Sequence, residues 1–392
     1  MKILVSNFGQ QHSRQLLLAI DKQSWLGKFY TALASNKWAL GFLPRHLQSA
    51  LKKRAFMGVP AEKIEHFPLL FLLERLGRNL SPGFSRWVGN CFDRRVARRI
   101  RRQQPDLVIS YENTNLATLR AARQLGITTV LDLAQIHHDD IAEYAKAFMA
   151  PGEWQEEVEI VNARKALALG YTDFVITLSS FAADSMLRHG WPSGRLFVAN
   201  LGIDPQRFTL KSSYAGGAVL RLLFVGTLMK RKGLAVLFEA LEQLPAQSVA
   251  LTLIGPMADA ADLVRANRQQ VRHLPFLHHE ALVQHYQEAD VFVFPSLLDS
   301  WAQTVLEAMA CGTPAIVTEH TGAKDAVSQG GGWVIPANDA AALAAQIQDV
   351  LRHPEYIETT GRRAHEIAQQ YTWDHYHRQI AGILNEIALR SA

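Results

Sequence analysis

"ADVFVFPSLLDSWAQTVLEAMACGTPAI", residues 289–316, opens with a run of Val and Phe, crosses a short polar loop, takes up helical spacing and closes in a second apolar run. A strand buried on both faces, a helix and another such strand make one βαβ unit, the building block of a parallel sheet. Ser300 and Gln303 stand at capping-box spacing and predict the start of the helix, while Gly312 followed by Pro314 predicts its end. Asp299 and Glu307 lie eight positions apart across that start. Helical geometry puts them about 12 Å apart and within about 80° of one face. They are too far apart to share a proton, and the span suits two hydroxyl-bearing rings on either side of a diphosphate. Glu307 has only apolar neighbours, Val305, Leu306, Ala308 and Met309, so the acid is expected to be buried and to need a partner.

The same alternation runs through the chain. "KILVS", "PDLVISY", "TTVLDL", "FVITLS" and "LFVAN" precede residue 201, and "LRLLFVG", "VALTLIG", "VFVFPS" and "PAIVT" follow it, each separated from the next by amphipathic stretches. This predicts an α/β protein of two Rossmann-like, doubly wound parallel sheets. At 392 residues the chain exceeds what one core usually fills, which also argues for two domains. The segment "PQRFTLKSSYAGGAVLR" at 205–221 interrupts the pattern with Pro, Ser and a Gly pair. Expected boundaries are therefore 1–205 and 206–375, with a last amphipathic helix over 376–392 packing back towards the N-terminal domain.

A hydrophobic content of 48% with 20% charged residues is that of a folded chain and excludes disorder. "MKILVSNFG" reads as a first strand rather than a leader, and "FPLLFLL" at 67–73 is too short to cross a bilayer. Cys91 and Cys311 are far apart, which fits a reducing, cytoplasmic setting.

The net charge of +5 conceals an asymmetry, because residues 1–102 carry 19 Lys and Arg against 5 Asp and Glu. That imbalance fits either a solvated basic face or an anionic partner, whether a membrane surface or an acidic substrate. "NKWALGFLPRHLQSALKKRAFMG" at 36–58 has the composition of an interfacial helix. "DRRVARRIRRQQ" at 93–104 places Val96 and Ile100 on one helical face and arginines on the others. No recognition motif for nucleic acid accompanies this charge.

Ligands of parallel sheets gather where strands end in helix N-termini. Three such loops stand out in the second half. "LLFVGTLMKRKGLAVLFEAL" at 222–241 sets Lys230, Arg231 and Lys232 beside a helix beginning near Gly233, a diphosphate clamp or a basic surface turn. The Asp299 loop is the second, and "TEHTGAKDAV" at 318–327 is the third. In the first half, Gly9 and His12 follow the first strand, with His12 facing the cleft or merely opening a helix. "LDLAQIHHDD" at 131–140 brings His137, His138, Asp139 and Asp140 to another strand end. Neighbouring residues diverge on a helix or strand, so this is weak as a metal site, and none is assigned.

"VGTLMKRKG" paired with the opening stretch resembles glycosyltransferase family 4, retaining sugar transferases of the GT-B fold. "VANLGIDPQRF" at 198–208 is similar to the inter-domain signature of that family. The resemblance spans the crossover and nearly all of the second half. The first half matches in outline.

This resemblance implies two domains facing a cleft, a nucleoside-diphosphate sugar (UDP or GDP) on the C-terminal domain, a glycan or lipid-linked acceptor on the N-terminal one, and no further cofactor. Glu307 would hold the ribose and Asp299 would lie near the transferred sugar. Gly226, Thr227, Lys230, Arg231 and Lys232 would face the phosphates, with the backbone of Ser300, Trp301, Ala302, Gln303 and Thr304 beside sugar and phosphates. His137 or His138 would contact the sugar, His137 being preferred, and Gly9 and His12 would lie on the acceptor side. Asp299, Lys232 and His137 are the expected catalytic residues. Two departures stand against the pattern: Thr227 replaces the customary arginine, and the first acid is Asp rather than Glu. They leave room for a non-catalytic sugar-nucleotide-binding or membrane-recruited assembly protein, and more weakly for an epimerase.

Overall fold

The computed structural model describes residues 1–35, 54–77, 81–146, 155–214, 217 and 219–391. Two wholly parallel sheets carry the chain. The first has seven strands in the order β3-β2-β1-β4-β5-β6-β7. These are β1 (Ile3–Ser6), β2 (Leu26–Thr31), β3 (Ile64–His66), β4 (Leu107–Tyr111), β5 (Thr128–Leu133), β6 (Phe174–Thr177) and β7 (Leu196–Val198). The second has six in the order β10-β9-β8-β11-β12-β13. Its strands are β8 (Leu220–Val225), β9 (Val249–Ile254), β10 (Val271–Leu274), β11 (Val291–Phe294), β12 (Ala315–Thr318) and β13 (Gly332–Ile335). Every residue of β1, β4, β6, β11 and β12 is buried, because helices cover both faces of each sheet. This is the doubly wound arrangement that the uninterrupted Val, Ile and Leu runs predict.

Four strands escape those runs: β2, β3, β10 and β13. Each lies at a sheet edge or one place in from it. There, polar residues such as Lys28, Glu65 and Arg272 are tolerated, and the apolar run breaks up.

The chain leaves the first sheet after Val198 and enters the second at Leu220. It is zipped to the returning segment by Ile203 N–H to the Tyr371 carbonyl at 2.8 Å and Trp373 N–H to the Ile203 carbonyl at 3.3 Å. A side chain at Gly202 would bring its first carbon within 2.2 Å of the Thr372 backbone, so the crossing requires glycine there. Beyond it, the last helix (Trp373–Ser391) lies on the first helix (Ser13–Lys22) of the N-terminal domain. Lys22 to Asp374 at 3.1 Å and His377 to Gln15 at 3.0 Å join the two.

The arginine-rich helix runs over Pro82–Gln103 and buries Val96 and Ile100. Most of the interfacial stretch at 36–58 falls on residues 36–53, which lie outside the described residues. Among the described residues no helix is long and apolar enough to cross a membrane.

Candidate active site

The loop after β8 tightens into a single turn, Lys230–Lys232, before the helix Leu234–Glu242. Gly233 joins them at φ 73°, and a side chain there would lie 1.8 Å from the Pro295 carbonyl oxygen. This contact presses the β8 loop against the β11 loop. Leu297 N–H donates to the Arg231 carbonyl at 2.9 Å, and the Arg231 guanidinium donates to the Leu298 carbonyl at 2.6 Å.

The same packing drives Lys232 inward, where its ammonium forms an ion pair with Asp299 and sits 4.8 Å above the Phe294 ring. Asp299 also accepts the Trp301 N–H at 3.1 Å. Burial would push the Asp299 carboxyl up, but the adjoining Lys232, the Trp301 N–H and Arg231 outweigh it and hold the acid below its ordinary range. Lys230 and Thr227 stay exposed, so of the three cations Lys232 pairs with the acid and Arg231 adds its charge nearby.

The helix after β11 is Gln303–Ala310 and does not begin at Ser300. Ala302 turns into the left-handed region at φ 68°, and no side chain caps the helix. Ser300 instead donates to the Ala134 carbonyl of the other domain at 2.6 Å, and its own carbonyl accepts the Ser179 hydroxyl at 2.8 Å. Gln303 donates to the Gly202 carbonyl at 2.7 Å. The capping box is therefore overridden by contacts across the cleft. The Trp301 N–H is spent on Asp299, which leaves Gln303 and Thr304 as the first-turn donors of this helix.

Asp299 thus sits in the loop and not on a helix with Glu307, and the shared-face geometry does not hold. The third loop does come alongside, with Gly322 N–H donating to the Asp299 carbonyl at 2.8 Å. Glu307 is buried as expected, and its partner is the Tyr286 hydroxyl, which donates at 2.9 Å. Burial pushes the Glu307 carboxyl up to about 7, against the opposing pull of Tyr286.

On the facing wall, His12 Nε2 meets Asp132 at 2.8 Å, both side chains buried, with Tyr111 packed 5.4 Å from the imidazole. Gly9 belongs to the neighbouring loop, where its N–H donates to Asn7 at 2.9 Å. The β5 loop reaches the C-terminal domain through Ala134 and through Ile136, which packs with Leu298. His137 caps the helix His138–Ala145 by accepting the Asp139 N–H on Nδ1 at 3.3 Å. Its ring stacks 4.1 Å from both His138 and His189. Burial and the two neighbouring imidazoles pull His137 down to about 4, so the ring is neutral at ordinary pH. His138 lines a small cavity with Glu112 and Lys165, which pair at 3.2 Å.

His137, Asp139 and His189 bring ligand atoms within 4.8 Å of one another. The His137 and His189 rings are only 12° from parallel, so their in-plane lone pairs run side by side and do not converge on one ion.

The loci that sequence spacing left unmarked are Tyr286, Asp132, His189 and Ser180, the partner of Asp325 in the third loop. Ser180 N–H donates to Asp325 at 2.7 Å across the domains. Asp132 carried one signal, an acid inside the apolar run "TTVLDL".

Two Rossmann-like domains closed on a cleft, with a lysine–carboxylate pair at the strand ends of the second, define the GT-B class. Family models assign each half: Glycosyltransferase Family 4 matches residues 56–207, and Glycosyl transferases group 1 matches residues 216–367. The chain belongs to this family-4 type of GT-B glycosyltransferases. It is 32% identical over 231 residues to the protein named colanic acid biosynthesis glycosyltransferase WcaL of Salmonella typhimurium, which covers 55% of this chain and 57% of that one. It is 28% identical to amylovoran biosynthesis glycosyltransferase AmsK of Erwinia amylovora over the same shares. The chain thus spans little more than half the length of these relatives. Among solved structures, Anabaena HepE in complex with UDP-glucose superposes with a TM-score of 0.67 at 19% identity, covering 98% of this chain and 99% of that one. At that identity the likeness concerns the fold.

Proposed function

We propose that the chain is a retaining glycosyltransferase that needs no metal or other cofactor and moves a hexose-type sugar from UDP or GDP to a glycan or lipid-linked acceptor. The setting we assign is polysaccharide assembly in the cytoplasm or at the inner face of a membrane. The observation that carries the reading is the buried Lys232–Asp299 pair, held between two strand-end loops. A buried ammonium whose partner is a single carboxylate is poised to exchange it for a diphosphate, which releases the acid towards the sugar. The names of the polysaccharide-biosynthesis relatives and the UDP-glucose complex of the structural neighbour support the substrate class.

In this reading Glu307 accepts the ribose hydroxyls, and Lys232, with Arg231 and the first-turn N–H groups of Gln303 and Thr304, receives the negative charge that develops as the sugar–phosphate bond breaks. The acceptor oxygen bonds to the anomeric carbon from the same face, and its proton passes to the departing phosphate oxygen. His137, neutral and with its proton on Nε2, contacts the sugar. Lys230 and Thr227 line the outer phosphate side, and Gly9, His12 and His138 belong to the acceptor wall.

Incubation with donor and a reducing-end acceptor, followed by assignment of the anomeric configuration by NMR with and without EDTA, tests the proposal. Retained configuration with EDTA-insensitive rates is expected. An inverted product or a rate abolished by chelation would remove the corresponding part of the mechanism. Donor binding without transfer or hydrolysis would favour the non-catalytic assembly protein.

A further inference from the structure

The helix Pro68–Gly77 is apolar on both sides. Its inner side places Leu70 in the core with Leu4, Tyr30 and Val108 of the sheet. Its outer side presents Leu69, Leu72 and Leu76 at 65%, 49% and 71% exposure, spaced as one helical stripe. A surface helix ordinarily turns charge outward and leucine inward. Here the acid faces in, since Glu74 takes the Ser85 hydroxyl at 3.0 Å, and three leucines face out.

The arginine-rich helix Pro82–Gln103 lies antiparallel beside it. Glu74 meets Ser85, Phe67 packs on Phe92 with centroids 5.7 Å apart, and Glu65 takes Arg99 at 2.8 Å. Both helices cover the same face of the first sheet, so their outer sides share one surface. Trp87 is 53% exposed on that surface. Arg94, Arg95, Arg98, Arg101 and Arg102 are exposed along the second helix.

Residues 54–103 hold 11 Lys and Arg against 4 Asp and Glu. Three of those acids are already committed: Glu65 to Arg99, Glu74 to Ser85, and Asp93 to Arg164 at 2.9 Å. For Arg94, Arg98, Arg101 and Arg102 no ion-pair partner occurs among the described residues.

We infer that this face docks on an anionic lipid bilayer, with Leu69, Leu72, Leu76 and Trp87 entering the acyl boundary and the arginines lying at the headgroups. A leucine stripe bordered by unpaired arginines matches a bilayer surface on both counts, apolar below and negative at the rim. A protein partner would need a shaped pocket of acids, whereas a flat stripe with flexible cations suits a fluid surface. Docking there goes beyond the sugar-transfer reading and does not depend on it.

Co-sedimentation with phosphatidylcholine vesicles, alone or with about 30% phosphatidylglycerol, measures it without donor or acceptor. The wild type should bind the mixed vesicles at least about tenfold more strongly than the neutral ones, and less as salt rises. Leu72→Ser with Leu76→Ser should weaken binding about tenfold while the thermal midpoint holds, because both side chains are exposed. Arg94→Gln with Arg98→Gln should remove the preference for phosphatidylglycerol. Brominated acyl chains should quench a fluorescence component that Trp87→Phe lacks. Absence of binding to any vesicle would overturn the inference, as would equal binding by the leucine variant. A leucine variant that changes the mass in solution but not vesicle binding would also overturn it, since the stripe would then join copies of the chain.

Discussion

The two walls of the cleft hold their ionisable groups in different ways. On the C-terminal wall a cation and an acid from two strand-end loops neutralise each other, Lys232 with Asp299, and a second acid, Glu307, is kept protonatable by burial against a phenol. On the N-terminal wall the groups are imidazoles fixed by distant partners: His12 by Asp132, and His137 by stacking on His189. The first wall is arranged to exchange one charge partner for another. The second is arranged to stay still. A ligand that brings its own diphosphate therefore has somewhere to put it on one side only.

If that contrast is right, Lys232→Ala should lower turnover by about 10²–10³-fold while leaving the fold intact, as loss of a group aimed at developing charge does elsewhere. Steady-state rates with a saturating donor check this, and a loss below about threefold would mean the diphosphate is held elsewhere. Asp132→Ala should act on stability rather than on donor, costing about 2 kcal/mol because the buried His12 Nε2 is left without its partner. Denaturant melts would show it, and the donor-induced thermal shift should persist in the variant.

Glu307→Gln should weaken donor binding about tenfold, the ribose losing a charged acceptor for a neutral one. In the wild type, donor affinity should climb as pH rises through about 7, where the carboxylate forms, and Glu307→Gln should flatten that dependence. Calorimetric titration across this range gives both results.

In pH-dependent stability the two walls should slope in opposite senses. The raised Glu307 carboxyl contributes stability fully present below its ordinary value of 4.5 and lost as pH rises through about 7. The lowered His137 contributes stability present above its ordinary 6.5 and lost as pH falls through about 4. Denaturant midpoints for Glu307→Gln and His137→Gln should each lack one of these slopes.

Much of the C-terminal wall was legible because its chemistry sits at strand ends whose apolar runs announce them, and because glycine and lysine mark the turn at Lys232 and Gly233. The helix start after β11 was not. Ala302 adopts a left-handed conformation that its residue type does not suggest, and Ser300 gives its hydroxyl to the opposite domain instead of the helix. The edge strands β3, β10 and β13 were hidden by their own polarity, as was the first-half wall by distance. His12 and Asp132 are 120 residues apart, so only folding brings them together. The burial of Glu307 is legible in its neighbours, yet Tyr286 lies on another helix and leaves no local trace. The leucines of Pro68–Gly77 read from sequence as an ordinary apolar run, and only the packing shows that three of the five face outward.

A nucleotide-sugar site built around Lys232, Asp299 and Glu307 can be probed by a thermal-shift panel of UDP-, GDP- and ADP-sugars on the wild type, Lys232→Ala and Glu307→Ala, each with and without EDTA. Sugars of one nucleotide should raise the midpoint of the wild type, chelation should leave the rise unchanged, and both variants should lose it. An equal rise in Glu307→Ala, or no rise with any donor, would contradict such a site.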